Sequence, residues 1–162
     1  MDSRDSTNGS HSKSWTAGAS YTWQDTQFHA GYFENRLDPG FQSYLNGPFT
    51  AQALSALKYT DFSSRRMFSL GVVQSFSSAL RVSLNYWRTL QIGKTPRLDG
   101  NASQFELLAD YNLSRRTDVY LEGNYGLYRG DLIGAQIQGV NGVGTALKST
   151  QLGLMAGIRH QF

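Results

Sequence analysis

The sequence predicts an all-β protein, an antiparallel transmembrane β-barrel, from three observations. Apolar residues alternate with small or polar residues in seven segments, aromatic residues lie near the ends of those segments, and short connections alternate with long ones. Period-two alternation places successive side chains on opposite faces of a strand, so each segment gains one apolar face. The sequence therefore predicts about seven strands that share one apolar face.

The composition fits one ordinary domain and excludes several classes of protein. The 162 residues are 40% hydrophobic and 13% aromatic, too rich in apolar side chains for a disordered chain. The absence of cysteine excludes a disulfide framework, a cysteine-ligated zinc site and thiol catalysis. The formal charge of +3, without a continuous basic stripe, does not predict nucleic acid as a partner. The longest uncharged run, 39–57, contains prolines and glycines, so it does not predict a transmembrane helix.

The seven predicted strands follow the alternation in chain order. They cover residues 15–23, 28–32, 68–76, 80–86, 105–113, 119–127 and 152–162. The apolar positions are interrupted at Gln74, Gly123 and His160. The interleaved positions are small or polar except at Val73, Leu108, Tyr120 and Met155. The two faces of each strand thus differ in polarity along nearly its whole length.

The connections predict which end of each strand faces which side of a membrane. Short turns are expected at 24–26, 77–78 and 114–116, and long loops at 38–65, 91–101 and 130–148. Outer-membrane barrels have short periplasmic turns and long extracellular loops. Residues 1–12 are expected to belong to an extracellular loop, and residues 13–162 to the strands and their connections. Helix propensity rises only at 50–60, a segment that we assign to a loop.

Aromatic residues on the apolar positions predict two girdles at the membrane interfaces. They flank smaller aliphatic residues, as in the interfacial girdles of a membrane barrel. The alternation is also compatible with a soluble sandwich or barrel, but such a protein would place aromatic side chains wherever its core needs volume. The girdle residues predicted in this way are Trp15, Trp23, Phe68, Phe76, Tyr86, Phe105, Tyr111 and Tyr125.

The interleaved positions supply the candidate functional residues, because they would face water inside a channel. Opposed charges in a confined lumen orient dipolar solutes and bias ion passage. An alternative is that these residues are merely solvated and bond to one another across strands. The predicted pore-lining residues are Arg81, Asn85, Glu106, Asp110, Asp118, Glu122, Asn124 and Arg159.

No catalytic site, metal site or cofactor is expected. Glu106 and Asp110 lie four residues apart on one strand, roughly 13 Å, too far for the carboxylate pair of a glycosidase. The histidines, His11, His29 and His160, fall in a loop, on the polar positions and on the apolar positions, respectively. They form no arrangement with serine and aspartate that would support nucleophilic catalysis.

The carboxyl-terminal residues resemble the terminal recognition signal of outer-membrane barrels. Gly157, His160 and the terminal Phe162 occupy its glycine and aromatic or apolar positions, whereas Met155 departs from the polar residue preferred there. The resemblance implies the outer-membrane assembly machinery as a partner, and it gives His160 a second expected role besides that of a girdle residue.

Four segments resemble Gram-negative general porins: 18–23, the hairpin at 109–120, the loop piece at 135–139, and 157–162. The resemblance extends over most of residues 13–162 and is most specific in the final third. It implies a sixteen-stranded, homotrimeric pore in the bacterial outer membrane, which passes small hydrophilic solutes and ions across the lipid bilayer.

The chain has about half the length that this resemblance implies. We therefore expect residues 1–162 to be a single porin-type segment, the last seven strands of sixteen. The inward-folded third loop would belong to the missing half. The alternatives are a self-contained eight-stranded outer-membrane barrel with a structural or adhesive role, and a soluble ligand-binding barrel whose apolar face points inward.

Overall fold

The protein forms one antiparallel sheet in a computed structural model that describes residues 2–4, 11–39, 62–133 and 148–162. Eight strands follow one another in the sheet in the order of the chain. The strands are β1 (Asp2–Arg4), β2 (His11–Trp23), β3 (Thr26–Leu37), β4 (Phe62–Ser75), β5 (Leu80–Gly93), β6 (Gly100–Asn112), β7 (Thr117–Gly130) and β8 (Thr150–His160). The all-β, antiparallel prediction is confirmed. Within these ranges no helix is long and apolar enough to cross a bilayer.

All seven predicted strands are present, as β2 to β8, and most of them extend further toward the long loops than the alternation indicated. β5 continues to Gly93, for example, seven residues past the last predicted position. The reason is that residues such as Glu34, Arg66 and Arg88 interrupt the apolar set there, although the backbone ladder continues through all three. Side-chain polarity thus marks the apolar band of the sheet rather than the ends of its strands.

The amino-terminal region contains a short strand where the sequence predicted a loop. β1 pairs with the beginning of β2, with Arg4 opposite His11. The connection between β5 and β6 is also shorter than expected, because it contains only residues 94–99 with a 3₁₀ turn at Pro96–Leu98. The expectations for 50–60, for 135–139 and for most of the loops at 38–65 and 130–148 fall outside the described residues.

The three short turns are held by their own polar side chains and by one residue with a positive φ. Gln24 turns the chain between β2 and β3 with φ 52°. Ser77 Oγ accepts hydrogen bonds from the backbone N–H groups of Ala79 and Leu80, at 3.2 and 3.0 Å. Ser114 Oγ accepts one from Arg116 N at 3.1 Å. Such local side-chain bonds are typical of serine in turns, and they fix one end of the sheet, hereafter the turn end.

The two faces of the sheet differ as predicted. The apolar face, defined by the alternating positions that include Trp15, carries nearly all of the large exposed hydrophobic side chains, such as Leu152 at 72% and Leu154 at 77% exposure. The polar face carries the interleaved positions. The few buried hydrophobic residues in the described ranges lie instead near the loop end, opposite the turn end, where Phe62 and Tyr128 are almost fully covered. A soluble barrel would bury the apolar stripe, which this sheet exposes.

Neighbouring positions on β5 test which face contacts lipid. Leu84→Arg places a charge on the apolar face and is expected to destabilise the folded protein by about 2–4 kcal/mol, because a cation near the bilayer midplane loses its hydration. Ser83→Arg, one residue away on the polar face, is the matched control and is expected to cost less than about 1 kcal/mol. Urea unfolding in lipid vesicles measures both. Equal costs would contradict the assignment of the faces.

Candidate functional site

The polar face brings all eight predicted pore-lining residues onto one surface. Register pairs place Asn85 opposite Glu106, and Glu106 opposite Asn124, in a row across the middle of the sheet. A second group lies toward the turn end, where Arg81 is opposite Asp110 and Asp118 is opposite Arg159. The acidic residues lie on the adjacent strands β6 and β7, and the two arginines lie on the strands that flank them.

The turn-end group is organised around Arg159. Its Nη2 lies 2.5 Å from Asp118 Oδ2 and also contacts Asp110, so one guanidinium bridges carboxylates on two strands. The side chain crosses Tyr120 of β7 to do so, with its Cζ 5.4 Å from the centre of the Tyr120 ring. Charge-assisted bonds to a guanidinium are among the strongest hydrogen bonds in proteins. Arg159 therefore links β6, β7 and β8 on the polar face.

Gly157 makes this arrangement sterically allowed. It lies opposite Tyr120 in the register of β7 and β8. A Cβ atom at position 157 would lie 2.5 Å from Tyr120 Oη, closer than real Cβ contacts. The tyrosine ring thus covers the glycine, which gives this residue a packing role in addition to the recognition role expected from the sequence.

Arg81 differs from Arg159 because it is exposed and has no ion-pair or hydrogen-bond partner among the described residues. Its register partner Asp110 is engaged by Arg159 instead. Both arginines and Asp110 line an open cleft of about 590 Å³ at the turn end, together with Asp25. The cleft thus contains the positive charge of Arg81, which no described residue neutralises, beside the ion pairs of Arg159.

A hydrogen-bonded group occupies the middle of the polar face. Asn85 Nδ2 donates to Glu106 Oε1 at 2.8 Å, and Asn124 Nδ2 donates to Glu122 Oε1 at 2.5 Å. His29 joins this group through a 2.9 Å contact between its Nε2 atom and Asn85 Oδ1. The sequence placed His29 on the polar positions but did not include it among the pore-lining candidates. The side chain of His29 reaches from β3 past β4 to a residue of β5, and the residue pattern of a single strand cannot predict such a contact.

The loop end of the polar face is bulkier than the sequence indicated. Tyr128 is 1% exposed, packs with Ala102 and Leu132, and accepts a hydrogen bond from Gln104 Nε2 at 2.9 Å. Phe62 is fully buried near Leu37. The predicted apolar positions of this strand end at residue 127, so the next residue, Tyr128, falls on the polar face. This placement was the signal from which the sequence could have predicted an aromatic side chain on that face. The polar face is therefore open toward the turn end and filled toward the loop end.

The predicted girdle residues all lie on the apolar side of the sheet. Tyr32, absent from the predicted set, connects two of them: its ring centre is 4.7 Å from that of Trp15 and 4.9 Å from that of Phe68. Tyr86 and Phe105 contact each other at 4.9 Å and share a register row with Tyr125. Trp23 and Tyr111 lie toward the turn end, and Phe76 follows the end of β4 within a turn.

A buried carboxylate marks the loop-side limit of this girdle. Glu34 is 2% exposed on the apolar face, where it accepts hydrogen bonds from Trp15 Nε1 at 3.0 Å, Arg36 Nε at 2.8 Å and Arg66 Nε at 3.1 Å. Ionised groups are costly within hydrocarbon, so paired charges on this face indicate that the lipid-facing band ends near Glu34. The sequence did not identify this cluster.

The carboxyl-terminal residues continue the apolar face beyond β8. His160 Nδ1 lies 2.8 Å from Thr117 Oγ1, and the His160 ring meets Phe162 edge-on with 4.9 Å between ring centres. β8 ends at His160, two residues before the predicted end, and Phe162 is fully exposed. Recognition of Gly157, His160 and Phe162 by assembly machinery stays a prediction.

The histidine side chains are spread over the described part of the sheet. No three histidine, aspartate or glutamate side chains within the described ranges are arranged to hold a metal ion. His11, His29 and His160 lie on β2, β3 and β8, at the loop end, the middle and the turn end of the sheet. The polar face offers charged and hydrogen-bonding side chains to a solute or to water.

A comparison with known protein families gives evidence that is independent of the faces of the sheet. The family model described as Gram-negative porin matches residues 1–131. The chain belongs to the Gram-negative porin family. Its resemblance to general porins is thereby confirmed at the family level, and this porin is a transmembrane β-barrel protein of the bacterial outer membrane. No curated protein was found to match the chain.

The extent of the match differs from the extent of the sequence resemblance. The hairpin at 109–120 lies inside the matched range, whereas 135–139 and 157–162 lie outside it. The final third, which carried the most specific resemblance, is therefore supported by the family match only up to residue 131. β8 connects with the matched part of this porin through its complete register with β7.

Substitution of Gly157 tests its packing role. Gly157→Ala is expected to cost about 1–3 kcal/mol of folding free energy, because the new methyl group collides with the Tyr120 ring. Gly123→Ala is the control, since its nearest side-chain atom would be 3.5 Å away. A double-mutant cycle measured by urea unfolding completes the test: in a Tyr120→Ala background the cost of Gly157→Ala should fall below half. An undiminished cost would contradict the packing of Tyr120 against Gly157 as the source of the destabilisation.

Proposed function

We propose that the chain forms part of the wall of a passive diffusion channel for small hydrophilic solutes and ions. The observation that carries this proposal is the polar face, where Arg81, Glu106, Asp110, Glu122 and Arg159 lie on four adjacent strands behind an apolar, aromatic-rimmed face. Charged side chains on one face of a membrane sheet need water beside them. A water-filled lumen supplies that water.

The mechanism follows from the width of such a lumen and from the charges on its wall. Solutes too large for the opening are excluded, and smaller ones pass down their own gradient without a cofactor. Alternating charges at the turn end act across the lumen on dipolar solutes, because they lie against a low-dielectric wall and are less screened than on an open surface. Arg81 contributes a positive charge that no described residue neutralises.

The open edges of the sheet support a larger barrel. Among the described residues β8 pairs with β7 alone, and β1 pairs with β2 alone. An unpaired edge in lipid costs several kcal/mol for each unsatisfied backbone group, which favours a wall that further strands complete. We propose a sixteen-stranded barrel that assembles as a homotrimer, as the resemblance to general porins implies, with this chain contributing the final strands.

A self-contained eight-stranded barrel is the competing proposal, and the mass of the native protein distinguishes the two. An antibody against the peptide that ends in Phe162 would be used on outer membranes separated by denaturing electrophoresis. A band at roughly twice 18.0 kDa is expected for the larger barrel. A stable membrane band at 18.0 kDa would favour the small barrel and would contradict the sixteen-stranded proposal.

Conductance tests the channel role directly. The native protein, purified in detergent from outer membranes, is expected to produce stepwise conductance in planar bilayers. Arg81→Gln should raise the cation-to-anion permeability ratio by about twofold, because it removes a positive charge from the lumen wall. Arg88→Gln removes the same charge from the apolar face of the same strand and should leave the ratio unchanged. A protein that inserts without conducting would overturn the proposal.

A further inference from the structure

The apolar face of the sheet is charged toward one end of its strands. On β3, β4, β5 and β7 the alternating positions of this face contain four arginines and a single acidic residue, Glu34. The arginines are Arg36, Arg66, Arg88 and Arg129. All five residues lie toward the loop end, and from the girdle to the turn end these positions contain no Asp, Glu, Lys or Arg. The two ends of this face therefore differ in charge along the same strands.

Each of these arginines lies close to an aromatic residue of its own strand. The spacing is two or four residues toward the loop end, roughly 7–14 Å at about 3.4 Å per residue. Aromatic girdles of outer-membrane barrels mark the edge of the hydrocarbon, and the headgroup layer begins there. The spacing thus places four cations at the level of the lipid headgroups. The pairs are Tyr32 with Arg36, Phe68 with Arg66, Tyr86 with Arg88, and Tyr125 with Arg129.

Glu34 brings two of these arginines together. Its Oε1 atom accepts hydrogen bonds from Arg36 Nε at 2.8 Å and from Arg66 Nε at 3.1 Å. Its Oε2 atom accepts one from Trp15 Nε1 at 3.0 Å. The terminal nitrogens of both arginines have no partner among the described residues, and the two side chains remain 62% and 42% exposed. The cluster therefore keeps a net positive charge and unfilled hydrogen-bond donors.

Phosphate is a group that this cluster fits. A guanidinium is planar and always charged, and its paired N–H groups match two oxygen atoms of a phosphate. Basic residues beside a bilayer attract anionic headgroups, with a gain of about fivefold in affinity for each residue near the surface. The strands offer no such attraction on the turn-end half of the apolar face. The position of the charges therefore matches negatively charged headgroups on the loop side of the membrane.

We propose that the outer surface of this porin binds the phosphate headgroup of a lipid in the loop-side leaflet. Arg36 and Arg66 are the residues that contact the phosphate. Glu34 is a positioning residue, because it holds the two guanidinium groups beside each other. The site lies on the apolar face and not in the lumen, so it goes beyond the channel function and does not depend on whether the barrel conducts.

Fluorescence quenching by labelled lipids tests this inference in vesicles that contain the full-length native protein. A bimane fluorophore on Leu90→Cys reports on the site, since Leu90 is exposed on the apolar face and lies opposite Arg66. The probes are phosphatidic acid and phosphatidylcholine that carry the same nitroxide-labelled acyl chain. Phosphatidic acid is expected to bind about 25-fold more tightly, which is about fivefold for each of the two arginines.

Substitutions of Arg66 separate a defined site from a general attraction. Arg66→Gln should lower the preference for phosphatidic acid about fivefold. The matched control Arg81→Gln removes an equal charge from the polar face and should leave that preference unchanged. Arg66→Lys keeps the charge but loses the paired donors, so it should also lower the preference, by at least about twofold. An undiminished preference in Arg66→Lys would indicate diffuse attraction and would overturn the site.

Glu34→Gln tests the positioning role with an effect of opposite sign. The change adds one positive charge to the cluster, so attraction by charge alone would raise the preference for phosphatidic acid. Release of the two guanidinium groups should instead lower it by at least about twofold, because the paired donors are no longer preorganised. A rise in the preference would overturn the role of Glu34.

The remaining outcomes concern the source of the phosphate and the site as a whole. Inorganic phosphate in excess should not displace the labelled lipid, since the acyl chains also contact the apolar face, and displacement would overturn a lipid as the ligand. Equal losses of preference in Arg66→Gln and Arg81→Gln would overturn the site. The labelled protein without further substitutions is decisive by itself, because a lack of preference for phosphatidic acid there contradicts the proposal even if a variant fails to fold.

Discussion

The requirement that every backbone N–H and C=O group be satisfied without water governs this structure. A sheet in hydrocarbon meets it only when its ladder of strands is paired at both edges, and this sheet adds its strands in the order of the chain. The same ladder fixes the register, and the register assigns each side chain to one face. The apolar girdle and the charged face are therefore two consequences of one hydrogen-bonding constraint.

Two glycine residues on the polar face leave room for the side chains of their neighbours. Gly71 admits the contact between His29 and Asn85, and Gly157 lies beneath the Tyr120 ring. At Gly71 two side chains meet across the intervening strand, and at Gly157 an aromatic ring covers the backbone. The pattern explains how a thin sheet, without a conventional core, still holds its polar side chains in defined positions.

The sequence predicted the strands and faces well because alternation is a local property. It missed the loop-side parts of the strands, where Glu34 and Arg66 replace apolar residues while the ladder continues. It also missed the contact of His29, since that contact depends on the register of three strands and on the residue between two of them. Single-strand patterns show which face a residue occupies, whereas its partners depend on the assembled sheet.

The length of the strands has a consequence for what lies above the membrane. β4, β5 and β7 each contain 14 residues. At about 3.4 Å per residue and a tilt of about 40°, such a strand rises roughly 35 Å, whereas the apolar band of such barrels is about 25 Å tall. Ordered sheet therefore continues beyond the lipid on the loop side, around Glu34. If the long loops lie outside the cell, as expected from the sequence, they would start from a rim of paired strands that stands above the lipid surface.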